Sequence, residues 1–267
     1  MRVPPGTPAA TGMAAGGPRG VRLGHPRLHL RSTDSTNERA RALAAAGAPH
    51  GTLVTAAAQT AGRGRQGRSW TAPPGSSLLM SLLLREPPRL LPLIAAVAVC
   101  DATGAETLIK WPNDIVLRRG EQLAKLAGIL VEGRPQEGWA VVGIGINVAV
   151  RLDELPEDLR GRAATLGHRD EDVEPLLAEV LAALQRRLAT PAGEVLGAWS
   201  ARDALTGRRV EWGMSATAAA GPRSGTKAPR QVGTACGIDG DGRLVVELAH
   251  GGRTTLEAGE VHLAAPG

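Results

Sequence analysis

Gln59-Thr60-Ala61-Gly62-Arg63-Gly64-Arg65-Gln66-Gly67-Arg68-Ser69-Trp70 alternates three arginines with three glycines directly after a strand-like segment, Gly51 to Ala58. Glycine leaves backbone N–H groups unobstructed and arginine presents a planar fork of donors, so the run can converge on one phosphate or carboxylate. Gly62-x-Gly64-x-x-Gly67 also matches a dinucleotide fingerprint, but that motif needs a helix opening at the glycines, and Pro73, Pro74 and Gly75 follow instead. A Rossmann fold is excluded on that ground. No Gly-x-x-x-x-Gly-Lys-Ser/Thr run occurs, which excludes a P-loop. A solvated basic turn is the plain alternative to an anion site.

Outward from this loop, Ser76 to Leu84 is a near-continuous apolar run, as in a strand covered on both faces. On the other side, Leu28 to Leu30 alternates as a strand. Asp34-Ser35-Thr36-Asn37-Glu38 then precedes an alanine-rich helix over Arg39 to Ala46. Ser35-x-x-Glu38 has the form of a capping box and Gly47 that of a helix stop, although hydroxyl and amide groups at a helix start can also serve a polar ligand. Leu90 to Asp101 reads as a helix on the sheet. Lys110-Trp111-Pro112-Asn113-Asp114 follows, in which Lys110 can meet a phosphate and Asp114 can bind Mg²⁺ through oxygen or simply close an Asn-Asp turn.

Lys125 stands in the apolar strand Leu123 to Glu132, either as a reactive cation or as a lysine snorkelling from a strand edge. Val141 to Val148 is a buried strand with Gly143 and Gly145 on alternate positions, leaving room for a ligand or for a packed neighbour. In Glu174 to Leu188 the residues Leu176, Leu177, Val180, Leu181, Leu184 and Leu188 keep helical spacing, with Pro175 in the first turn, and this helix is core. Beyond Trp199 the texture changes to short strands at Gly207–Trp212, Gln231–Gly237, Arg243–Leu248 and Arg253–Leu256, with Asp239-Gly240-Asp241-Gly242 as a hairpin turn. A small β-barrel of SH3-like size is expected there, interrupted by a flexible insertion over 213–230.

The chain has 267 residues, 43% of them hydrophobic, which reads as a soluble globular protein. Its longest apolar run, Leu90 to Cys100, is too short to span a bilayer. Residues 1–27 are rich in proline and glycine without an apolar signal core, so a disordered tail and a cytoplasmic protein are expected. Cys100 and Cys236 lie far apart and the six histidines are scattered, which leaves no zinc spacing. A net charge of +5 suits nucleic acid or a small anionic substrate equally well. The absence of Phe and Tyr beside five Trp argues against single-strand or RNA binding, which depends on aromatic stacking. Lysine occurs only as Lys110, Lys125 and Lys227 among 31 basic residues. A mobile point charge placed where arginine is the default cation suggests specific chemistry at those positions.

These blocks together resemble the biotin protein ligases, also called biotin–acetyl-CoA-carboxylase ligases, from about Leu28 to the C-terminus. Asp-Ser-Thr-Asn at 34–37, Gln59 with Gly-Arg-Gly-Arg-x-Gly-Arg-x-Trp at 62–70, Lys-Trp-Pro-Asn-Asp at 110–114, Lys-Leu-Ala-Gly-Ile-Leu-Val-Glu at 125–132 and Gly-Ile-Gly-Ile-Asn at 143–147 stand in family order. The resemblance implies an α+β fold with a central mixed β-sheet and flanking helices, a class II synthetase-like catalytic domain over 28–200, and the SH3-like barrel over 201–267. It implies ATP-dependent activation of biotin as biotinyl-5′-AMP and transfer to a lysine of a biotin carboxyl carrier domain. By the same resemblance Ser35, Thr36, Asn37, Gln59, Arg63, Gly64, Arg65 and Lys125 would bind biotin. Arg65, Arg68, Trp70, Lys110, Asn113 and Asn147 would bind ATP, and Asp114 would hold Mg²⁺. Lys125, Arg63 and Arg65 would be catalytic, and the arginine–glycine loop would order around ligand to exclude water.

With no Phe or Tyr present, Trp70 and Trp111 would wall the pocket. Residues 1–27 are too few for a helix-turn-helix domain, so a ligase without operator binding is expected. Neither a nucleic-acid nor a membrane partner is expected, and a homodimer stays open. Lipoate-protein ligase is the neighbouring activity, and a basic nucleic-acid module on a degenerate ligase domain is the competing class.

Overall fold

The structure, a computed structural model, describes residues 22–213, 230–257 and 261–264. Seven strands form the main sheet: β1 (Arg27–Leu30), β2 (Leu53–Ala56), β3 (Ser77–Arg85), β4 (Leu108–Lys110), β5 (Asp114–Arg119), β6 (Gln122–Arg134) and β7 (Trp139–Asn147). Their spatial order is β1-β2-β3-β7-β6-β5-β4, parallel at β1–β2 and antiparallel in the other pairs. The sheet is therefore mixed.

Period-two alternation sorts β3 between two apolar layers. Leu78, Met80, Leu82 and Leu84 join the main core, while Leu83 packs with Ala40, Ala44 and Val141 in a second cluster. That second cluster is built on α1 (Thr36–Ala45), whose alanines at i and i+4 let it lie close to the sheet. Main-core helices are α2 (Leu91–Thr103), α4 (Val173–Leu188) and α5 (Ala192–Ser200), with a short α3 (Glu157–Arg160) between strand β7 and α4. Every residue of α2 from Leu93 to Cys100 is buried, so this helix is apolar all round.

A second, antiparallel sheet holds β8 (Arg209–Gly213), β9 (Arg230–Ile238), β10 (Leu244–Leu248), β11 (Arg253–Leu256) and β12 (Val261–Leu263), ordered β11-β10-β9-β8-β12. No ladder joins β11 to β12 among the described residues, so the expected closed barrel is replaced by a five-stranded sheet. Strand β12 was not legible at three residues. Val210, Trp212, Ala235, Leu244, Val246 and Val261 belong to the same hydrophobic cluster as α2, so the two sheets share one core.

Three expectations need correction or restriction. Residues 22–27, placed in the tail, are ordered against the fold at two points: Leu23 is 4% exposed and its N–H donates to Gln185 Oε1 at 3.3 Å, and the buried Gly24 N–H donates to Gly51 O at 2.9 Å. Residues 1–21, and 214–229 of the expected insertion, lie outside the described residues. Gly213 and Arg230 at the insertion's ends pair with each other in the β8–β9 ladder. Finally, Ser35 is the N-cap of α1 but the capping box does not form: Ser35 makes no side-chain capping bond, its N–H donates to Asp34 Oδ1 at 2.8 Å, and Glu38 pairs with Arg41 and Arg63. Gly47 does end the helix, at φ +86.

Arg27 on β1 grips Glu174 in the first turn of α4 through two bonds of 2.8 and 2.6 Å. Hydrogen bonding from Arg27 is the largest effect on the Glu174 carboxyl and holds it below the usual glutamate value, although burial opposes it. A folded-state pKa below the unfolded one gives stability that is complete above the ordinary glutamate value of 4.5 and is lost as pH falls through the lower folded value. Glu174→Gln should therefore flatten the loss of stability below about pH 4.5, as read by thermal unfolding between pH 3 and 7. An acid limb as steep as that of the parent chain would discount the pair.

Candidate functional site

Beyond β2 the chain is strapped to the segment before α1. Thr33 N–H donates to Ala58 O (3.1 Å), Thr60 N–H to Thr33 O (2.9 Å) and Ala61 N–H to Asp34 O (2.9 Å). The arginine–glycine loop then closes on itself, with Trp70 N–H donating to Gly62 O (2.9 Å) and Gly64 N–H to Arg68 O (2.7 Å) around a single 3-10 turn at Arg65–Gly67. No helix opens at the glycines, as expected from the prolines behind them. Gly62 is required by this closure, since a Cβ there would collide with the Trp70 carbonyl and lie 2.8 Å from Gln59 Nε2.

The cavity under the loop has a volume of about 370 Å³ and is floored by β6 and β7. The alternate glycines of the floor turn out to seat side chains. A Cβ on Gly143 would overlap Asn37 Oδ1 and come within 2.7 Å of its Cγ, and one on Gly145 would lie 2.7 Å from Trp70 Cε2. Gly128 on β6 meets the same indole, 3.0 Å from Cζ3. Asn37 is fixed in the space so made: Ser81 Oγ donates to its Oδ1 (2.6 Å), and its Nδ2 donates to Glu132 Oε2 (2.8 Å) and Leu130 O (3.3 Å). Ser81 Oγ also stands 2.8 Å from Thr36 Oγ1, and Thr36 donates through its backbone N–H (2.7 Å) and hydroxyl (3.1 Å) to Gln59 Oε1. Two distant motifs thereby become one polar wall.

Lys125 is not at a free edge. Its residue pairs with Val116 on one side, while its N–H donates to Arg162 O (2.6 Å) and its carbonyl accepts from Ala164 N–H (2.7 Å) on the other. Its Nζ lies 2.7 Å from Asp114 Oδ1 and 5.6 Å from the Trp70 ring centroid, close enough for cation–π attraction. The buried Trp70 Nε1 finds no acceptor among the described residues. Arg65 Nη1 donates to the neutral amide oxygen of Asn113 at 3.4 Å, and no other hydrogen bond holds the guanidinium among the described residues. Burial lowers the Arg65 pKa from the ordinary arginine value, Asp114 opposes that shift and Arg68 reinforces it. A guanidinium whose charge is disfavoured in this way is poised for an anion.

Ser35, Thr36, Asn37, Gln59, Arg63, Gly64, Arg65, Arg68, Trp70, Lys110, Asn113, Asp114, Lys125 and Asn147, all singled out from sequence, line this one cavity. Several are already engaged with protein. Arg63 pairs with Glu38 at 2.9 Å and Glu132 at 3.7 Å, Asn113 Nδ2 donates to Ile129 O at 2.9 Å, and Asn147 Nδ2 donates to Ala164 O at 2.8 Å. Sequence reasoning missed Ser81 and the segment contributing Leu155, Leu159, Arg162 and Ala163 to the wall. Neither carries a motif, and the segment is brought in by its pairing with Lys125 and by bonds to Asn147 and Val148 at the end of β7.

Asp114 offers one carboxylate already paired with Lys125, and the described residues hold no group of three or more His, Cys, Asp or Glu able to bind a metal. That donor set suits Mg²⁺ arriving on substrate phosphates and kept largely hydrated, not a resident ion. The motif at 110–114 is braced from behind, where Trp111 Nε1, in a side chain 2% exposed, donates to Gly242 O at 3.1 Å. Trp111→Phe leaves that carbonyl unpaired and should cost about 1–3 kcal/mol, read as a lower urea midpoint. An unchanged midpoint would rule the brace out.

The biotin/lipoate A/B protein ligase family model matches residues 29–149. Biotin–acetyl-CoA-carboxylase ligase of Mycobacterium tuberculosis is 34% identical over 248 residues, covering 86% of this chain and 85% of that protein. The bifunctional ligase/repressor BirA of Bacillus spizizenii is 40% identical over 156 residues, 54% of this chain but 47% of that protein, so the match spans about half of that relative's length. Among solved structures, the biotin protein ligase of Aquifex aeolicus in complex with biotin and ATP superposes with a TM-score of 0.72 at 27% identity, covering 90% of this chain and 100% of that one.

Proposed function

The chain belongs to the biotin/lipoate A/B protein ligase family, and from that premise we propose that it is an ATP-dependent biotin protein ligase acting on a lysine of a biotin carboxyl carrier domain. One observation carries the reading. The five motif blocks converge on a single cavity in which Lys125 and the half-buried Arg65 face a glycine floor. In the first half-reaction a biotin carboxylate oxygen bonds to the α-phosphorus of ATP as the bond to the bridging β-oxygen breaks, giving biotinyl-5′-AMP and pyrophosphate. In the second, the carrier ε-amine attacks the mixed anhydride, AMP leaves, and the amine loses a proton.

Each step brings anions together, and the residues answer that need. Thr36, Asn37 and Gln59, tied into one wall through Ser81, and the adjoining Ser35 would read the polar ends of biotin. Lys125 Nζ would leave Asp114 for the oxygens between carboxylate and α-phosphate, a move that an ammonium makes more readily than a guanidinium. Arg65, Arg68 and Lys110 would meet the phosphates, with Asn113 and Asn147 beside them in the ATP end of the cavity, fixed by bonds to Ile129 O and Ala164 O. The unpartnered Trp70 Nε1 is a donor for the bound adenylate. Mg²⁺ entering with ATP would be held by Asp114 and phosphate oxygens, where it supplies charge neutralisation for the leaving pyrophosphate. In this reading the main sheet is a class II synthetase-like catalytic domain and the enzyme works in the cytoplasm, with a homodimer compatible with the position of β1 at the edge of the main sheet. No helix among the described residues is long and apolar enough to cross a membrane.

ATP–pyrophosphate exchange with biotin, lipoate or neither tests the proposal without the carrier. Exchange with biotin alone is expected. Exchange with lipoate alone would move the assignment to the neighbouring activity, and none with either acid in folded protein would leave the nucleic-acid module as the reading to pursue.

A further inference from the structure

Arg63 has so far stood with Arg65 as a cation over the acyl-adenylate, yet the two arginines are held in opposite ways. Arg63 Nη1 donates to Glu38 Oε2 at 2.9 Å, and its Nη2 is 3.7 Å from Glu132 Oε1. Arg41 Nη1 shares both acids, 3.1 Å from Glu38 Oε2 and 3.5 Å from Glu132 Oε1. Two cations meet two anions, so this set balances its own charge without a ligand. Arg65 has a neutral amide for its hydrogen bond and a buried charge.

We infer that Glu38 and Glu132 are positioning residues that hold the arginine–glycine loop down over the cavity through Arg63, so that Arg63 latches the loop while Arg65 meets the anion. The four side chains come from three elements: Glu38 and Arg41 from α1, Glu132 from β6 and Arg63 from the loop. The loop's internal bonds, at Gly62–Trp70 and Gly64–Arg68, close it on itself and do not tie it to α1. Trp70 and Arg65 anchor it on the cavity side, and Arg63 anchors it on the outer rim. Glu132 also accepts from Asn37 Nδ2 at 2.8 Å, so the latch and the cavity wall share one carboxylate. Exposed ion pairs are individually weak. Weakness suits a loop that must release for substrate to enter and product to leave in every cycle.

Hydrogen exchange of the Gly64 and Trp70 amides in the full-length, ligand-free protein tests the latch. Glu38→Gln and Arg63→Gln should each speed exchange about three- to fivefold. The double variant should be no faster than Arg63→Gln alone, and 1 M salt should bring the parent chain to the Glu38→Gln rate. Loop exchange unaffected by Glu38→Gln, or single effects that multiply in the double variant, would overturn the latch. This arm needs no substrate and stands apart from the ligase reading, on which the second arm rests. There, preformed biotinyl-5′-AMP should leave Glu38→Gln about three- to fivefold faster than the parent chain, with Glu38→Asp intermediate. Unchanged release would show that the latch does not hold the loop over its ligand. Failure of the parent chain to form adenylate would count against the ligase reading, while the exchange arm would still decide the latch.

Discussion

Lys125→Met should lower the rate of biotin-dependent ATP–pyrophosphate exchange by about 10²–10³-fold or more, the usual consequence of removing one preorganised donor from a site where charge develops. The substitution keeps the length and much of the volume of the stem, so the backbone clasp between Val116 and the 162–164 segment stays in place. One side effect needs control, because Asp114 loses the ammonium that lies 2.7 Å from it. A carboxylate left alone in a partly buried site could disturb nucleotide binding by itself. Lys125→Met with Asp114→Asn removes that charge. If the double variant recovers exchange, Lys125 serves only to neutralise Asp114. If it stays inactive while Asp114→Asn alone keeps exchange, the ammonium acts on the reacting oxygens. Exchange within about tenfold of the parent chain in Lys125→Met would remove the residue from the mechanism.

The second large effect is steric. Gly143→Ala should cost about 1–3 kcal/mol of stability and abolish activity at temperatures where the variant remains folded. Its Cβ would overlap the Asn37 amide, and neither partner can yield easily. Strand β7 is pinned between β3 and β6, and Asn37 is bonded to Ser81, Glu132 and Leu130. Gly145→Ala should be milder for stability, because its Cβ meets the Trp70 indole, which can swing out with the loop, but it should still impair adenylate formation. Gly161→Ala is the control, since a Cβ there meets nothing within 4 Å. Urea unfolding and pyrophosphate exchange on the three variants separate these outcomes. Equal stability of Gly143→Ala and Gly161→Ala would mean that the close packing of Asn37 on β7 is not what requires glycine.

The arginine–glycine loop, the strands on either side of it and the buried helix α2 were legible because each rests on local chemistry: proline behind the glycines, continuous apolar runs, and helical spacing. Every residue assigned to biotin, ATP or Mg²⁺ lines one cavity, since the backbone elements that carry those motifs meet at β6 and β7; Trp111, expected as a second wall, instead lies buried behind the motif on Gly242 O. Glu38 shows the limit of such reading. Its spacing from Ser35 fits a capping box, yet Asp34 takes the Ser35 N–H and Glu38 turns to Arg41 and to an arginine 25 residues along the chain. A local hydrogen bond and a tertiary ion pair compete within about 1 kcal/mol, and spacing alone cannot settle so small a difference. Similarly, alternate glycines on β7 say that something approaches closely, but not that Asn37 and Trp70 are what approach. Whether Lys125 lies at an edge depends on a segment nearly forty residues away that adds itself beside β6.

What the amino-acid order determined by itself was the kind of chemistry to look for and most of the elements that bear it: a loop suited to an anion, three exceptional lysines, a sheet covered by helices, and a short-stranded C-terminal unit. Only the tertiary structure decided which charges are spent on protein and which are left for a ligand. Arg63 and Arg65 are two residues apart and chemically the same. One lies beside two carboxylates and the other beside a neutral amide in a half-buried wall, because ion pairing depends on which distant elements the packed core brings within about 4 Å.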